Sequence, residues 1–219
     1  YWMNWINKDT EVYCSFAKQA GNTGCQMMNT AFYYYGLNKI YKSFSVDNIE
    51  DAVNSVKTLG IKGFAITMPY KIEVLDYVDE LDDSVKKIQS ANTVINDNGK
   101  LIAYNTDYYA AKTIVSEINF LNGYPKIFIL GNGGYSKAVQ QAVKDLNLDY
   151  TLITRDNWDT IGDIRNSVVY NCTPISVDIN KYNTYINSDV KSETGLRLAT
   201  LQASKQFELY TGLDFPLGD

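Results

Sequence analysis

The chain has 219 residues, 45% of them apolar and 21% charged, with a formal net charge of -5 and a pI near 4.8. That length suffices for one large domain or two small ones, and the acidic balance excludes a nucleic-acid backbone as main partner, since such binding needs a basic patch. Histidine is absent, which removes the Ser-His-Asp triad, the Cys-His pair and histidine-ligated zinc and leaves acid–base work to Asp, Glu, Lys, Tyr or Cys.

At the amino end, Tyr1-Trp2-Met3-Asn4-Trp5 lacks the basic flank and apolar core of a signal peptide. Glu11 to Phe16 alternates towards a strand and Cys25 to Tyr35 fits a helix. Lys39 to Val46 is a second strand candidate. Asp47 or Asn48 can cap a helix running to Leu59, with Ile49, Ala52, Val53 and Val56 on one face. Gly60 and Gly63 frame the next turn, and Phe64 to Met68 has the continuous apolar run of a buried strand. Asn92 to Asn96, an Asn98-Gly99 turn, and Leu101 to Asn105 predict a β-hairpin. A linking helix is expected from Asp107 to about Phe120. Lys126 to Leu130 is then a buried strand, Gly131 to Gly134 a glycine turn, Ser136 to Leu146 a helix and Tyr150 to Thr154 a further strand. This strand, turn, helix, strand unit implies a parallel sheet. No run approaches the ~18 apolar residues that a membrane span requires. Cys14, Cys25 and Cys172 have no metal-type spacing and suit a reducing cytoplasm as buried thiols, so no metal and no membrane partner is expected.

The glycine turn is the most informative local motif. In Gly131-Asn132-Gly133-Gly134-Tyr135, glycines at a strand-to-helix corner let the backbone approach a pyrophosphate, whose charge the helix N-terminus favours. The strand before and the amphipathic helix after supply the context that separates a dinucleotide site from a bare tight turn. The second strand ends Thr154-Arg155-Asp156. An arginine there suits the 2'-phosphate of NADP and an acidic residue the ribose hydroxyl of NAD, so the residues offer both, with NADP favoured.

Further strings extend along the chain: Gly63-Phe64-Ala65-Ile66-Thr67-Met68-Pro69-Tyr70-Lys71, Ser90-Ala91-Asn92-Thr93-Val94, Tyr104-Asn105-Thr106-Asp107, Asn171-Cys172-Thr173-Pro174, and Leu201-Gln202-Ala203 with Phe207-Glu208-Leu209-Tyr210-Thr211-Gly212. With the glycine turn, their order resembles the shikimate dehydrogenase family. The resemblance implies an α/β substrate domain over 1–108, onto which a C-terminal helix over 200–219 packs back. It also implies a Rossmann-type, doubly wound parallel-sheet domain over 109–199, with a cleft between the two. It further implies reversible hydride transfer between NADP(H), or NAD, and a small hydroxylated carboxylic acid such as shikimate or quinate, in aromatic amino acid biosynthesis, by a cytoplasmic monomer or homodimer.

In that reading Lys71 and Asp107 form the acid–base pair. Asn22, Thr67, Asn92 and Gln202 meet the substrate. Gly131, Asn132, Gly133, Gly134, Tyr135, Thr154, Arg155, Thr173 and Gly195 line the cofactor site, Gly195 near the nicotinamide. Oxidising a secondary alcohol by hydride transfer requires a proton to leave its hydroxyl, which a lysine can accept without histidine.

The family pattern is broken in two places. Its first substrate loop carries Ser-x-Ser-Pro, and the aligned stretch here is Asn22-Thr23-Gly24-Cys25. Tyr70 and Ala65 likewise replace a histidine and an asparagine. These changes resemble the divergent shikimate dehydrogenase-like subgroup, whose substrate need not be shikimate. After Pro174 the chain also lacks about one strand and one helix of the family's cofactor domain, which suggests a segment omitted around 187–193, because a sheet that loses such elements loses packing. Two other readings fit parts of the sequence: a catalytically idle nucleotide-binding regulator, and another two-domain dehydrogenase such as methylenetetrahydrofolate dehydrogenase.

Overall fold

Alternate residues of Glu11–Ala17, strand β1, serve two different cores, as the two-residue repeat of an extended chain requires. Tyr13 joins one buried cluster while Cys14 and Phe16 join another. In the computed structural model, which describes residues 6–123 and 125–216, β1 lies inside a six-stranded sheet of order β2-β1-β3-β5-β6-β4. The others are β2 (Lys39–Ser45), β3 (Gly63–Ile66), β4 (Glu80–Leu81), β5 (Thr93–Asp97) and β6 (Lys100–Tyr104). β1 pairs in parallel with β2 and β3, whereas β5 runs antiparallel to both β3 and β6. The β5–β6 hairpin turns on Asn98 and Gly99, both at positive φ (51° and 94°), the backbone that Asn-Gly supplies at least cost.

Helix α1 (Thr23–Tyr34) and α2 (Ile49–Leu59) cover opposite faces of this sheet. Asn48 caps α2 through its side chain, which accepts from the Asp51 N–H at 3.0 Å, and Gly60 closes it in the left-handed conformation. Ile49, Ala52, Val53 and Val56 are the buried stripe, each large member contributing about 1.5–3 kcal/mol by leaving water.

The second sheet is wholly parallel, of order β10-β9-β7-β8. It comprises β7 (Lys126–Leu130), β8 (Tyr150–Ile153), β9 (Ser167–Asn171) and β10 (Thr184–Asn187). Helices α4 (Thr106–Asn122), α5 (Gly134–Asp145) and part of α6 (Glu193–Thr211) pack on its Ile127, Ile129, Val168 and Tyr170 face. The Leu130 and Val169 face is closed by Ile161 and Ile164, from a 3-10 segment and the turn after it. A short helix α3 (Asp83–Ile88) completes the set.

The chain divides into two compact units, Tyr1–Thr106 with Ala203–Asp219, and Asp107–Gln202. Two details differ from the sequence expectation. The C-terminal helix starts at Glu193 rather than 200 and ends at Thr211, because Ser192 Oγ accepts the Gly195 N–H and caps it earlier. The helix after the glycine turn starts at Gly134, so Gly134 and Tyr135 are helical. Around 187–193, β10 lies beside β9 with Ile186 buried, and Asn187 bonds to Thr194. The reading of Tyr1–Trp5 and the last three positions of 200–219 lie outside the described residues. Among the described residues no helix is long and apolar enough to cross a membrane.

Candidate functional site

In the first unit, the chain leaving β3 forms the Thr67–Lys71 turn. Tyr70 is buried, and its hydroxyl donates to the Val46 carbonyl at 2.7 Å while its N–H donates to Thr67 O at 3.0 Å. The Lys71 carbonyl accepts from the Ala91 N–H at 2.8 Å, and Lys71 itself is half-buried. Thr67 is exposed. This turn is therefore stitched to the segment that enters β5.

Asn92 organises that segment. Its carbonyl accepts from Ile66 N (2.8 Å) and its N–H donates to Tyr104 O (3.1 Å). Its side chain is buried: Oδ1 accepts from Thr106 N at 2.7 Å and Thr93 Oγ1 at 3.1 Å, and Nδ2 donates to Thr106 Oγ1 at 2.8 Å. Gln206 Nε2 donates to Thr93 Oγ1 at 2.8 Å, and Asn105 Nδ2 to Ser90 O at 2.9 Å. Lys71, Thr67 and Asn92 thus share one hydrogen-bonded loop system. Asn105, Thr93 and Gln206 are its supports, which the sequence reading did not single out; Gln206, one helical turn after Gln202, was the available signal.

The loop before α1 is different. Asn22 is exposed at the N-cap and its side chain makes no capping bond. A Cβ at Gly24 would stand 3.4 Å from the Tyr41 hydroxyl and ring. Beside it Cys25 Sγ lies 3.1 Å from Ser43 Oγ, which accepts from Ser15 Oγ at 2.9 Å.

In the second unit the glycine turn has the features its sequence promised. Gly131 has φ +93°, and a Cβ there would stand 2.7 Å from Thr173 Cγ2, so glycine is required at that corner. The Gly131 N–H donates to Ile153 O at 2.8 Å, bringing the turn beside the end of β8. Gly133, the N-cap of α5, has open space where a side chain would be, and no side chain caps the helix. Such a cradle, with N–H groups at a positive helix end, fits a pyrophosphate. Asn132 is exposed, its Oδ1 accepting from Gln140 Nε2 at 3.1 Å. Thr154 caps the next segment reciprocally with Asn157, and Arg155 follows, exposed, with no ion pair among the described residues. The residues present fit a dinucleotide, with Arg155 free to meet a phosphate.

Thr173 is fixed by Asn171, whose buried Oδ1 accepts both its N–H (3.0 Å) and its hydroxyl (2.8 Å). Gly195 is buried in the first turn of α6, and a Cβ there would collide with the Asp189 carbonyl. Close backbone approach thus accounts for that glycine. Gln202 is half-buried on α6, the last residue of this unit.

Asp107 occupies the first turn of α4 and is 6% exposed. Burial, to which the nearby Asp107 carboxylate adds, pushes the pKa values of Tyr135, Tyr170 and Cys172 well above their ordinary values, making these groups weaker acids. Cys172 is thereby kept a neutral thiol, as is Cys14, pushed up to about 12 by burial. Neither is a nucleophile at neutral pH, and among the described residues no group of His, Cys, Asp and Glu is arranged to hold a metal ion.

The family model for the shikimate dehydrogenase substrate binding domain matches residues 23–94. A shikimate dehydrogenase-like protein of Haemophilus influenzae is 39% identical over 155 residues, 71% of this chain and 57% of that protein. A shikimate dehydrogenase (NADP(+)) of Clostridium beijerinckii is 31% identical over 180 residues, 74% of this chain and 67% of the relative. The solved structure of a shikimate 5-dehydrogenase-like protein superposes with TM-score 0.81 at 30% identity, covering 97% of this chain and 95% of that one. The chain spans about half the length of the first three curated relatives (57%, 47% and 50%).

Proposed function

The chain belongs to the shikimate dehydrogenase family, and from that premise we propose that it is an NADP-dependent dehydrogenase that oxidises a secondary hydroxyl of a small carboxylic acid. Shikimate, interconverted with 3-dehydroshikimate, is the first candidate, and quinate is the next. The observation that carries this reading is the uncapped N-terminus of α5 at Gly133, with open space at the turn and Arg155 exposed at the end of the neighbouring strand.

NADP, held by the Gly131–Tyr135 turn, Thr154, Arg155 and Thr173, supplies a nicotinamide that accepts or returns hydride. The chain's own residues bind, orient and move the proton. Lys71 takes the proton of the reacting hydroxyl, and Asp107 is its acid–base partner. Thr67, Asn92, Gln202 and the amide of Asn22 are the donors and acceptors offered to the substrate's hydroxyls and carboxylate. Asn92 does this from a side chain already locked by Thr106, so its orientation is set before substrate arrives. The assignment to aromatic amino acid biosynthesis follows only if shikimate is the substrate.

The test is the initial rate of NADP reduction with shikimate at saturating cofactor, run in parallel with NAD and with quinate, using Lys71→Ala as the blank. Turnover of about 1–1000 per second that Lys71→Ala abolishes, with NADPH affinity unchanged, is the expected result. A slow rate that still depends on Lys71 directs the search to another hydroxy acid. No rate above the blank, with NADPH still bound, rejects the enzyme reading for the idle regulator, the alternative that the altered Asn22 loop favours.

A further inference from the structure

Four polar side chains, Asn132, Ser136, Gln140 and Tyr150, link the glycine turn to the start of β8, and their hydrogen bonds run in one direction. The fixed end is the Gly131 carbonyl, which can only accept. Ser136 Oγ donates to it at 2.6 Å, so the single hydrogen of that buried hydroxyl is committed. Ser136 can then only accept, and it does so at 3.0 Å from Gln140 Nε2, one helical turn further along α5. The nitrogen edge of the Gln140 amide therefore faces the turn. Its oxygen edge faces β8, where Oε1 accepts from the Tyr150 hydroxyl at 2.9 Å.

The second hydrogen of Gln140 Nε2 goes to Asn132 Oδ1 at 3.1 Å. Asn132 is exposed and stands between Gly131, where the chain bends at positive φ, and Gly133, where it opens to solvent. With Oδ1 held on the Gln140 side, the Nδ2 edge of the amide points the other way, and among the described residues it makes no hydrogen bond. An unrestrained asparagine presents either edge, and only the nitrogen edge has hydrogens for an anion. Packing does not call for this arrangement. Gln140 is half-buried, and the buried stripe of α5 (Ala138, Val139, Ala142 and Val143) is complete without it.

We propose that Asn132 gives an amide hydrogen to a phosphate of the dinucleotide, and that Gln140, held by Ser136 and Tyr150, is the positioning residue that sets this orientation. The inference rests on the dinucleotide site given to this turn above and deepens it. The turn then supplies a side-chain donor beside its backbone N–H groups. An amide already turned the right way loses little freedom when the cofactor arrives, so more of the bond appears as affinity.

The measurement is the dissociation constant of NADPH, followed by its fluorescence, for the unaltered chain, Asn132→Ala, Gln140→Leu and the double variant. Asn132→Ala should weaken binding about 10-fold or more, as expected for losing one hydrogen bond to a charged group. Gln140→Leu removes only the restraint, and should weaken binding about 3-fold or more. The double variant should bind no worse than Asn132→Ala alone, because Gln140 acts through Asn132. Tyr150→Phe, which leaves Gln140 with one bond fewer, should show a smaller loss in the same direction and keeps the test available if Gln140→Leu does not fold. Unchanged binding in a folded Gln140→Leu, or losses that multiply in the double variant, overturns the proposal and leaves the network as a support of α5. An unaltered chain that binds no NADPH overturns it together with the dinucleotide site. The predicted losses in a chain that turns over no hydroxy acid uphold the positioning role and reject the dehydrogenase reading, so the two fail separately.

Discussion

The loop that follows β3 is pinned at its ends and along its length, whereas the loop that enters α1 is barely tied down. Around Lys71, the Tyr70 hydroxyl, the Ala91 N–H and the side chain of Asn92 each fix a different stretch of backbone. Around Asn22, Ala20 N–H is held by Ser45 Oγ and Cys25 by Ser43. Between those points no side-chain hydrogen bond holds residues 21–24 among the described residues, and Asn22 does not cap its helix. Both loops belong to the same unit and both are expected to meet substrate. The rigid one carries the residue given to chemistry; the loose one is where the family's Ser-x-Ser pattern has gone. Chemistry tolerates little displacement of its groups, while a recognition loop that makes few internal bonds can change its side chains at low cost to folding.

That contrast can be broken at its strong side first. Asn92→Leu strips partners from the buried Thr106 N–H and hydroxyl, and should cost about 2–4 kcal/mol in urea unfolding. A much smaller loss would mean that the loop is held elsewhere. At the loose side, Asn22→Ser with Gly24→Ser should lower KM for shikimate about 10-fold, if two restored hydroxyls meet its carboxylate. The Tyr41 ring, at 3.4 Å from a Cβ at 24, leaves room for that side chain with a slight shift. An unchanged KM would remove the loop from substrate recognition. The smallest effect is expected for Asn22→Ala, under about 0.5 kcal/mol, set against about 1 kcal/mol for Asn48→Ala, whose side chain does cap α2. Equal losses in the two would erase the distinction between the loops.

Much of this was legible in the residues. β7, the glycine turn and α5 announce themselves because Gly131 needs its positive φ and Val139, Ala142 and Val143 repeat at helical spacing. The β5–β6 hairpin follows from Asn98-Gly99, and α2 from Asn48, its apolar stripe and Gly60. What stayed hidden lacks such local marks. All five residues of β9 are buried, so it has no alternation to betray it. The 3-10 segment Arg155–Asp163 depends on the reciprocal Thr154–Asn157 cap. Gly195 suggests a ligand by alignment, yet only the approach of the Asp189 carbonyl reveals why no side chain fits there. The Tyr135–Tyr170 contact joins residues 35 apart, beyond the reach of any periodicity.

The bond from Gln206 to Thr93 spans 113 positions of sequence. Thr93 in turn donates to Asn92, so the side chain that steadies Thr106 receives its last support from the far half of α6. Contacts that close long loops pay their entropy before they are rewarded, and form late. A chain emerging from the ribosome can therefore assemble β1, β2 and β3 and even turn its hairpin well before the amide of Gln206 has been made. The Asn92 loop acquires its final order only when that helix docks, so a chain released or cut short of residue 206 should be folded in large part and yet lack that support.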